Sequence, residues 1–169
     1  MRHLALAALF AAALAPLPVL ADDAPTMVTL KAEQIGQIFC LSRIGNDDAV
    51  IGGILTRDLQ QAVAAAEKKD AAYARKHPGE KPPLGDGIPW QSAADYAPQC
   101  STGLVTLSKL DAKVELKYAF PDDPSANFSD TLILKKIDQP GLGVGFWRID
   151  NVGYGDGSDL RTEMLKAFE

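Results

Sequence analysis

Histidine and cysteine are scarce in this 169-residue chain, with two of each, at His3, His77, Cys40 and Cys100. Their scarcity excludes several chemistries. A zinc centre draws on three or four His, Cys or carboxylate ligands, and the chain has too little His and free Cys to build one. A Ser-His-Asp hydrolase would have to recruit His77, and no G-x-S-x-G turn presents a nucleophile. No C-x-x-C spacing exists to depress a thiol pKa, so Cys40 and Cys100 do not read as a catalytic redox pair. Basic charge is not in excess either: Lys and Arg number 17 against 22 Asp and Glu, a formal net charge of −5. Nucleic-acid contacts need clustered cations. The densest group here is Lys68, Lys69, Arg75, Lys76 and Lys81. It falls mostly on one predicted helix with Glu67 and Asp70, and reads as a solvated face. Past Ala21 no stretch is apolar enough to span a bilayer.

What is present begins with an export signal. Arg2 and His3 precede an uncharged run from Leu4 to Leu20, and Val19-Leu20-Ala21 then leads into Asp22-Asp23. This pattern predicts a secretory signal peptide, residues 1–21, cut after Ala21; the alternative is a retained anchor. No cysteine follows Ala21, so a lipid-anchored N-terminus is not expected. The expected location is periplasmic or secreted, with no stable membrane insertion after signal removal. Residues 22–169 then suit one domain. In an exported chain two cysteines point to a disulfide, Cys40–Cys100, the alternative being two buried free thiols. It would close a loop of roughly 60 residues, worth about 4 kcal/mol in the chain-entropy picture.

Along the chain, helical spacing comes first. Thr29 is placed to cap a helix through about Arg43, with Ile35, Ile38 and Phe39 on its buried face. Gly45-Asn46-Asp47 breaks it. Asn46 or Asp47 then caps a short second helix whose apolar side is Val50, Ile51, Ile54 and Leu55. A long alanine-rich helix follows over 57–76, with Asp58 near its positive end, a thin stripe of Leu59, Val63, Ala66 and Tyr73, and a Pro78-Gly79 stop. Prolines and glycines make 78–100 a long loop around Trp90. Alternation replaces helical spacing after Cys100. Strands are expected around Val105–Leu107, Val114–Phe120, Thr131–Ile137 and Gly145–Val152, with turns at Leu110-Asp111 and Pro140-Gly141. Ser158 is placed to cap a last helix to Phe168. Helices, then an antiparallel meander, then a helix, is an α+β order: N-terminal helices packed on a curved four-stranded antiparallel sheet with a C-terminal helix.

Several segments carry a family likeness: Leu84-Gly85-Asp86-Gly87-Ile88-Pro89-Trp90-Gln91-Ser92, Asp95 and Cys100, Phe146-Trp147-Arg148-Ile149-Asp150-Asn151-Val152, and Ser158-Asp159-Leu160-Arg161. They resemble a group of small exported bacterial proteins of unknown function. The architecture of that group resembles the nuclear transport factor 2-like cone, in which helices pack into a strongly curved antiparallel sheet. The resemblance implies a single cone-like domain over 22–169. It also implies a superfamily holding ketosteroid isomerase, dehydratases, polyketide cyclases and non-enzymatic binding or dimerisation modules, among which fold does not choose. Isomerase-like members use a pocket Asp as base with an acid or Tyr as oxyanion donor. Dehydratase-like members use a His–Asp pair, and His77, the one histidine after Ala21, sits at a helix end beside Pro78.

No catalytic, metal or cofactor constellation is read from the residues. Gly141-x-Gly143-x-Gly145 precedes a strand, not a helix, and reads as a hairpin turn rather than a phosphate loop. Asp156-Gly157-Ser158-Asp159 fails as an EF-hand, because its fifth and twelfth positions would be Leu160 and Ala167. Candidate pocket or partner contacts remain. Trp90 is a lid or partner contact, or else a loop anchor over the core. Asp95, Asp130 and Asp150 are carboxylates of which two sharing a pocket would raise one pKa. The alternatives are turn capping for Asp95 and Asp130, and pairing with Arg148 or Arg161 for Asp150. Tyr118 and Tyr154 are oxyanion donors or sheet filler. The expected activity is therefore a non-enzymatic binding or protein-interaction module for a protein partner or a small apolar ligand. The alternative is a small isomerase or lyase with Asp130 or Asp150 as base. Homodimerisation through the outer sheet face fits the cone resemblance.

Overall fold

A computed structural model describes residues 29–45, 47–139 and 144–169. The signal-peptide reading of 1–21, the Asn46 cap, the Pro140-Gly141 turn and the first two glycines of the Gly-x-Gly run lie outside the described residues.

Helix α1 (Ala32–Gly45) starts three residues after Thr29. The Lys31 N–H donates to the Gln34 side chain at 2.8 Å, half of a capping box, and that bond sets the start. Ile35, Phe39 and Arg43 repeat every four residues, so one stripe of α1 faces the core, and its last member is charged. Gly36 lies on that stripe. A Cβ there would sit 2.7 Å from Thr102 Cγ2 and 2.8 Å from Val114 Cγ1, so only glycine lets α1 lie this close to the sheet. Helix α2 (Ala49–Gly52) is a single turn. Asp48 occupies its N-cap position without a capping bond, because its carboxylate is taken by Arg43 and Trp90, while Asp47 accepts from the Ala49 N–H at 3.1 Å. Helix α3 (Arg57–Lys76) begins where expected: Thr56 Oγ1 accepts from the Leu59 N–H at 3.2 Å.

Strands β1 (Gln99–Leu107), β2 (Asp111–Ala119), β3 (Phe128–Gln139) and β4 (Val144–Gly153) form one antiparallel meander in the order β1-β2-β3-β4. Strict alternation on β2 sends Ala112, Val114, Leu116 and Tyr118 inward. Leu132 and Leu134 of β3 and Ile149 and Val152 of β4 complete that face, and α1, α3 and α4 (Leu160–Lys166) pack with the sheet. The α+β expectation with a curved four-stranded antiparallel sheet therefore holds.

Two bulges bend the sheet. One lies between Thr102 and Val105 of β1. In the other, Ile133 pairs with Asn151 and Leu134 with Ile149, leaving Asp150 as the extra residue. The outer edge of β4 is clamped by the α2–α3 link: the Thr56 N–H donates to Ile149 O at 2.7 Å and the Ile149 N–H to Ile54 O at 2.8 Å.

Some expectations need correction. Thr29 does not cap α1, whose first turn is held at Lys31 by Gln34. Asp159, not Ser158, caps α4, accepting from the Thr162 N–H at 3.0 Å, while the Ser158 hydroxyl is held by Asp156 at 2.7 Å. The third strand starts at Phe128, not Thr131, which moves Asp130 from a loop into the sheet. The disulfide forms as expected: Cys40 and Cys100 join α1 to β1 across 60 residues with Cα atoms 5.2 Å apart. Among the described residues no helix is long and apolar enough to cross a membrane.

Candidate functional site

The loop joining α3 to β1 carries Trp90 and is tied to Asp130 and Tyr154. Its start is tied to α3 by the Leu84 N–H donating to Asp70 at 2.9 Å. Gly85 and Gly87 take φ of 64° and 126°, values that favour glycine, and turn the chain inward. Trp90 follows, 3% exposed. Its ring meets Phe39 edge-on at 6.4 Å, and its indole N–H donates to Asp48 at 3.1 Å. These contacts anchor the loop over the core. Pro89 O accepts from the Tyr154 hydroxyl, a third tie.

Beneath the loop lies a buried polar group. Asp130 shares a sheet face with Leu132 and Leu134 and is 2% exposed. It stands opposite Leu116 on β2, which makes Tyr118 its diagonal neighbour. The Tyr118 ring stacks on Phe128 at 4.4 Å. Asp130 Oδ2 accepts from the Ser92 N–H at 2.9 Å, so the carboxylate is also a tie for the loop. Its other oxygen, Oδ1, is buried with no protein partner, as are the Tyr118 hydroxyl and Gln91 Oε1. The Gln91 amide donates to Ala93 O at 3.0 Å and Asp95 O at 2.8 Å, which fixes Oε1 as the unpaired acceptor. Burial raises the Asp130 carboxyl above the usual Asp range, against lowering by Ser92 and the nearby Gly155 amide; the Asp156 charge adds to the rise. Burial, reinforced by the Asp130 charge, pushes the Tyr118 and Tyr154 hydroxyls far above the ordinary tyrosine value. All three groups thus resist charging, as expected where desolvation dominates.

Two clefts flank the loop. One, of about 460 Å³, runs between the loop and α4 and is lined by Gln91, Ser92, Tyr154, Ser158 and Glu163 among others. The other, of about 360 Å³, runs between the loop and the end of α1, with Arg43, Lys81, Trp90 and Tyr96 on its walls. Asp130 lines neither, being sealed behind Ser92.

The remaining candidates separate from this group. Asp95 is exposed on the loop; its backbone carbonyl, not its carboxylate, is used, through Gln91. Asp150 does not fit a base. The bulge aims it along the sheet edge, where it accepts from Thr56 Oγ1 at 2.9 Å, Lys135 Nζ at 2.9 Å and Arg161 Nη2 at 3.2 Å. Burial pushes its carboxyl up, but the bonds from Lys135 and Thr56 and the charges of Lys135 and Arg161 outweigh this and hold it below the usual Asp range. Arg148 bonds its neighbour's carbonyl, Trp147 O, at 3.2 Å and lies 5.8 Å from the Phe146 ring; the partner of Asp150 is Arg161, as one of the two alternatives had it. Arg148 and Asp150 share an outer cleft of about 450 Å³ with Arg57 and Lys135.

Sequence reasoning missed Arg43 and Asp48. Arg43 is 2% exposed; Nη2 bonds Asp48, and Nε bonds Ser42 Oγ at 3.3 Å. The signal was present in the stripe Ile35, Phe39, Arg43, where a cation continues an apolar face at helical spacing. Among the described residues no three His, Cys, Asp or Glu side chains converge as metal ligands. In comparison with protein-family models, with curated proteins and with solved structures, the chain matches none of them.

Proposed function

We propose that this protein is an exported, non-enzymatic binding module acting in the periplasm or outside the cell, and that the loop at 84–98 is its ligand-contacting element. The observation that carries the reading is the placement of that loop. It is long, tied down by Trp90, Ser92 and Tyr154, and flanked on both sides by clefts of ligand size, while the carboxylate best suited to proton transfer is sealed beneath it. The disulfide between α1 and β1 supports an oxidising compartment. Membership of the cone superfamily is part of the proposal, supported by helices on a curved antiparallel meander. Native mass spectrometry of the mature protein, purified gently from its own compartment, tests the reading. A stoichiometric protein or small-molecule adduct supports it. Turnover of a substrate that depends on Asp130 sinks it.

One observation favours a second reading, an isomerase or lyase with Asp130 as base and Tyr118 as donor. Asp130 has a raised pKa and a free Oδ1, and Tyr118 a free hydroxyl, on one sheet face. That reading requires the loop to lift, since Asp130 is closed off in the structure described.

A further inference from the structure

We propose that the cleft between the end of α1 and the 84–96 loop binds a small carboxylate with an apolar body, and that the Arg43 guanidinium reads the carboxylate. The proposal rests on the binding-module reading and names its ligand class, using residues other than the Asp130 group.

Arg43, 2% exposed, is the most deeply buried charged residue among those that line either cleft. A guanidinium taken out of water is costly unless it is paired and hydrogen-bonded. Its ion-pair partner among the described residues is Asp48, whose side chain is 50% exposed and also accepts from Trp90. Nε is used by Ser42 and one Nη2 N–H by Asp48. Among the described residues Nη1 has no protein partner, and it is not one of the side-chain atoms sealed from solvent. Among the described residues Nη1 is thus the unpaired end of a guanidinium that lines the cleft. A guanidinium nitrogen donates to a carboxylate through charge-assisted hydrogen bonds. The Arg43 guanidinium lies over Phe39 at 5.5 Å and Trp90 at 6.0 Å, so it is oriented before any ligand arrives.

The walls specify the rest of the ligand. Leu84, Ile88, Pro89, Trp90 and Tyr96 supply apolar and aromatic surface. The charged residues on the walls are Arg43, Lys81 and Asp86; Lys81 and Asp86 pair at 3.1 Å, and Arg43 pairs with Asp48 through Nη2 alone. A volume of about 360 Å³ holds a ring-sized acid. Apolar walls disfavour free phosphate, which stays strongly hydrated. Gln91, 7% exposed with Oε1 unpaired, lines the same cleft and adds an acceptor beside the loop.

The test is a titration of ¹⁵N-labelled mature protein with phenylacetate and, in parallel, its neutral amide phenylacetamide. The Trp90 indole N–H and the Arg43 Nε–H are followed. A saturable shift of both with the acid, and binding at least tenfold weaker for the amide, is expected. The comparison of acid with amide uses the unaltered protein and needs no variant. Arg43→Lys, which keeps the charge and loses the fork, is expected to weaken the acid at least tenfold and leave the amide unchanged. Equal responses to acid and amide, or a silent Trp90, overturn the proposal. If the Ser92 and Gly155 amides move while Trp90 stays still, small-molecule binding stands and the assignment to this cleft is overturned.

Discussion

Replacing Asp130 by Asn should make the protein more stable at neutral pH. Asp130 is buried among Leu116, Leu132 and Tyr118, accepts through Oδ2 from Ser92, and leaves Oδ1 unpaired. A buried acceptor without a partner costs about 1–3 kcal/mol, and more when it carries charge. Asn keeps the volume and one acceptor for the Ser92 N–H, and removes the charge. The expected gain is about 1–2 kcal/mol at pH 7, roughly 2–8 °C in Tm for a chain of this size. The pH dependence follows from the raised carboxyl. A group whose folded pKa exceeds its unfolded value holds its proton more tightly in the folded state. Its contribution to stability is full below the unfolded value near pH 4 and is lost as pH rises through the folded one. The advantage of Asp130→Asn should therefore be largest at pH 7 and shrink toward pH 3.5, where the wild-type carboxyl is mostly neutral in both states. Urea unfolding of both proteins at the two pH values measures this. A variant less stable than wild type at pH 7 by more than about 1 kcal/mol would refute the reasoning, because the carboxylate would then be a satisfied structural anion.

Asp150 should behave in the opposite way: Asp150→Asn costs about 2 kcal/mol at pH 7, discounted for the half-exposed Lys135, by breaking its bonds to Lys135, Arg161 and Thr56. Because its folded pKa is lowered, that contribution is present above about pH 4 and fades as pH falls through the folded value, which urea unfolding across pH 3–7 would follow. Gly36→Ala should destabilise by about 1–3 kcal/mol through overpacking against Thr102 and Val114, read as a lower urea midpoint with unchanged slope. Reduction, or the double change Cys40→Ser with Cys100→Ser, should cost about 4 kcal/mol, measured against the oxidised protein; free thiols in the native protein would contradict the bond.

Elements whose signals are local were legible in the sequence. Helix α3 began at Arg57 and ended at Lys76 as read, because Thr56 and Pro78-Gly79 act within a turn of its ends. The α4 cap moved by one residue because Ser158 and Asp159 are both good caps and Asp156 captured the first. The burial of Asp130 was available in principle, since it has the parity of Leu132 and Leu134. Starting the strand at Thr131 hid it. The pairing of Asp150 with Arg161 was one of two sequence alternatives, but the bulge that places it was not available, because a bulge depends on how two strands pair, not on either alone. Likewise Asp48 meets Trp90 across 42 residues, a contact only tertiary packing creates.

The central claim is that the 84–98 loop contacts the ligand. Hydrogen exchange tests it most directly, comparing the mature protein as isolated from its own compartment with the same protein stripped of bound molecules by unfolding and oxidative refolding. The account predicts greater protection of amides in 84–98 in the protein as isolated, with the sheet amides of β2 and β3 unchanged. Equal protection of that loop in the two samples, with differences confined to the outer sheet face or α4, would contradict it.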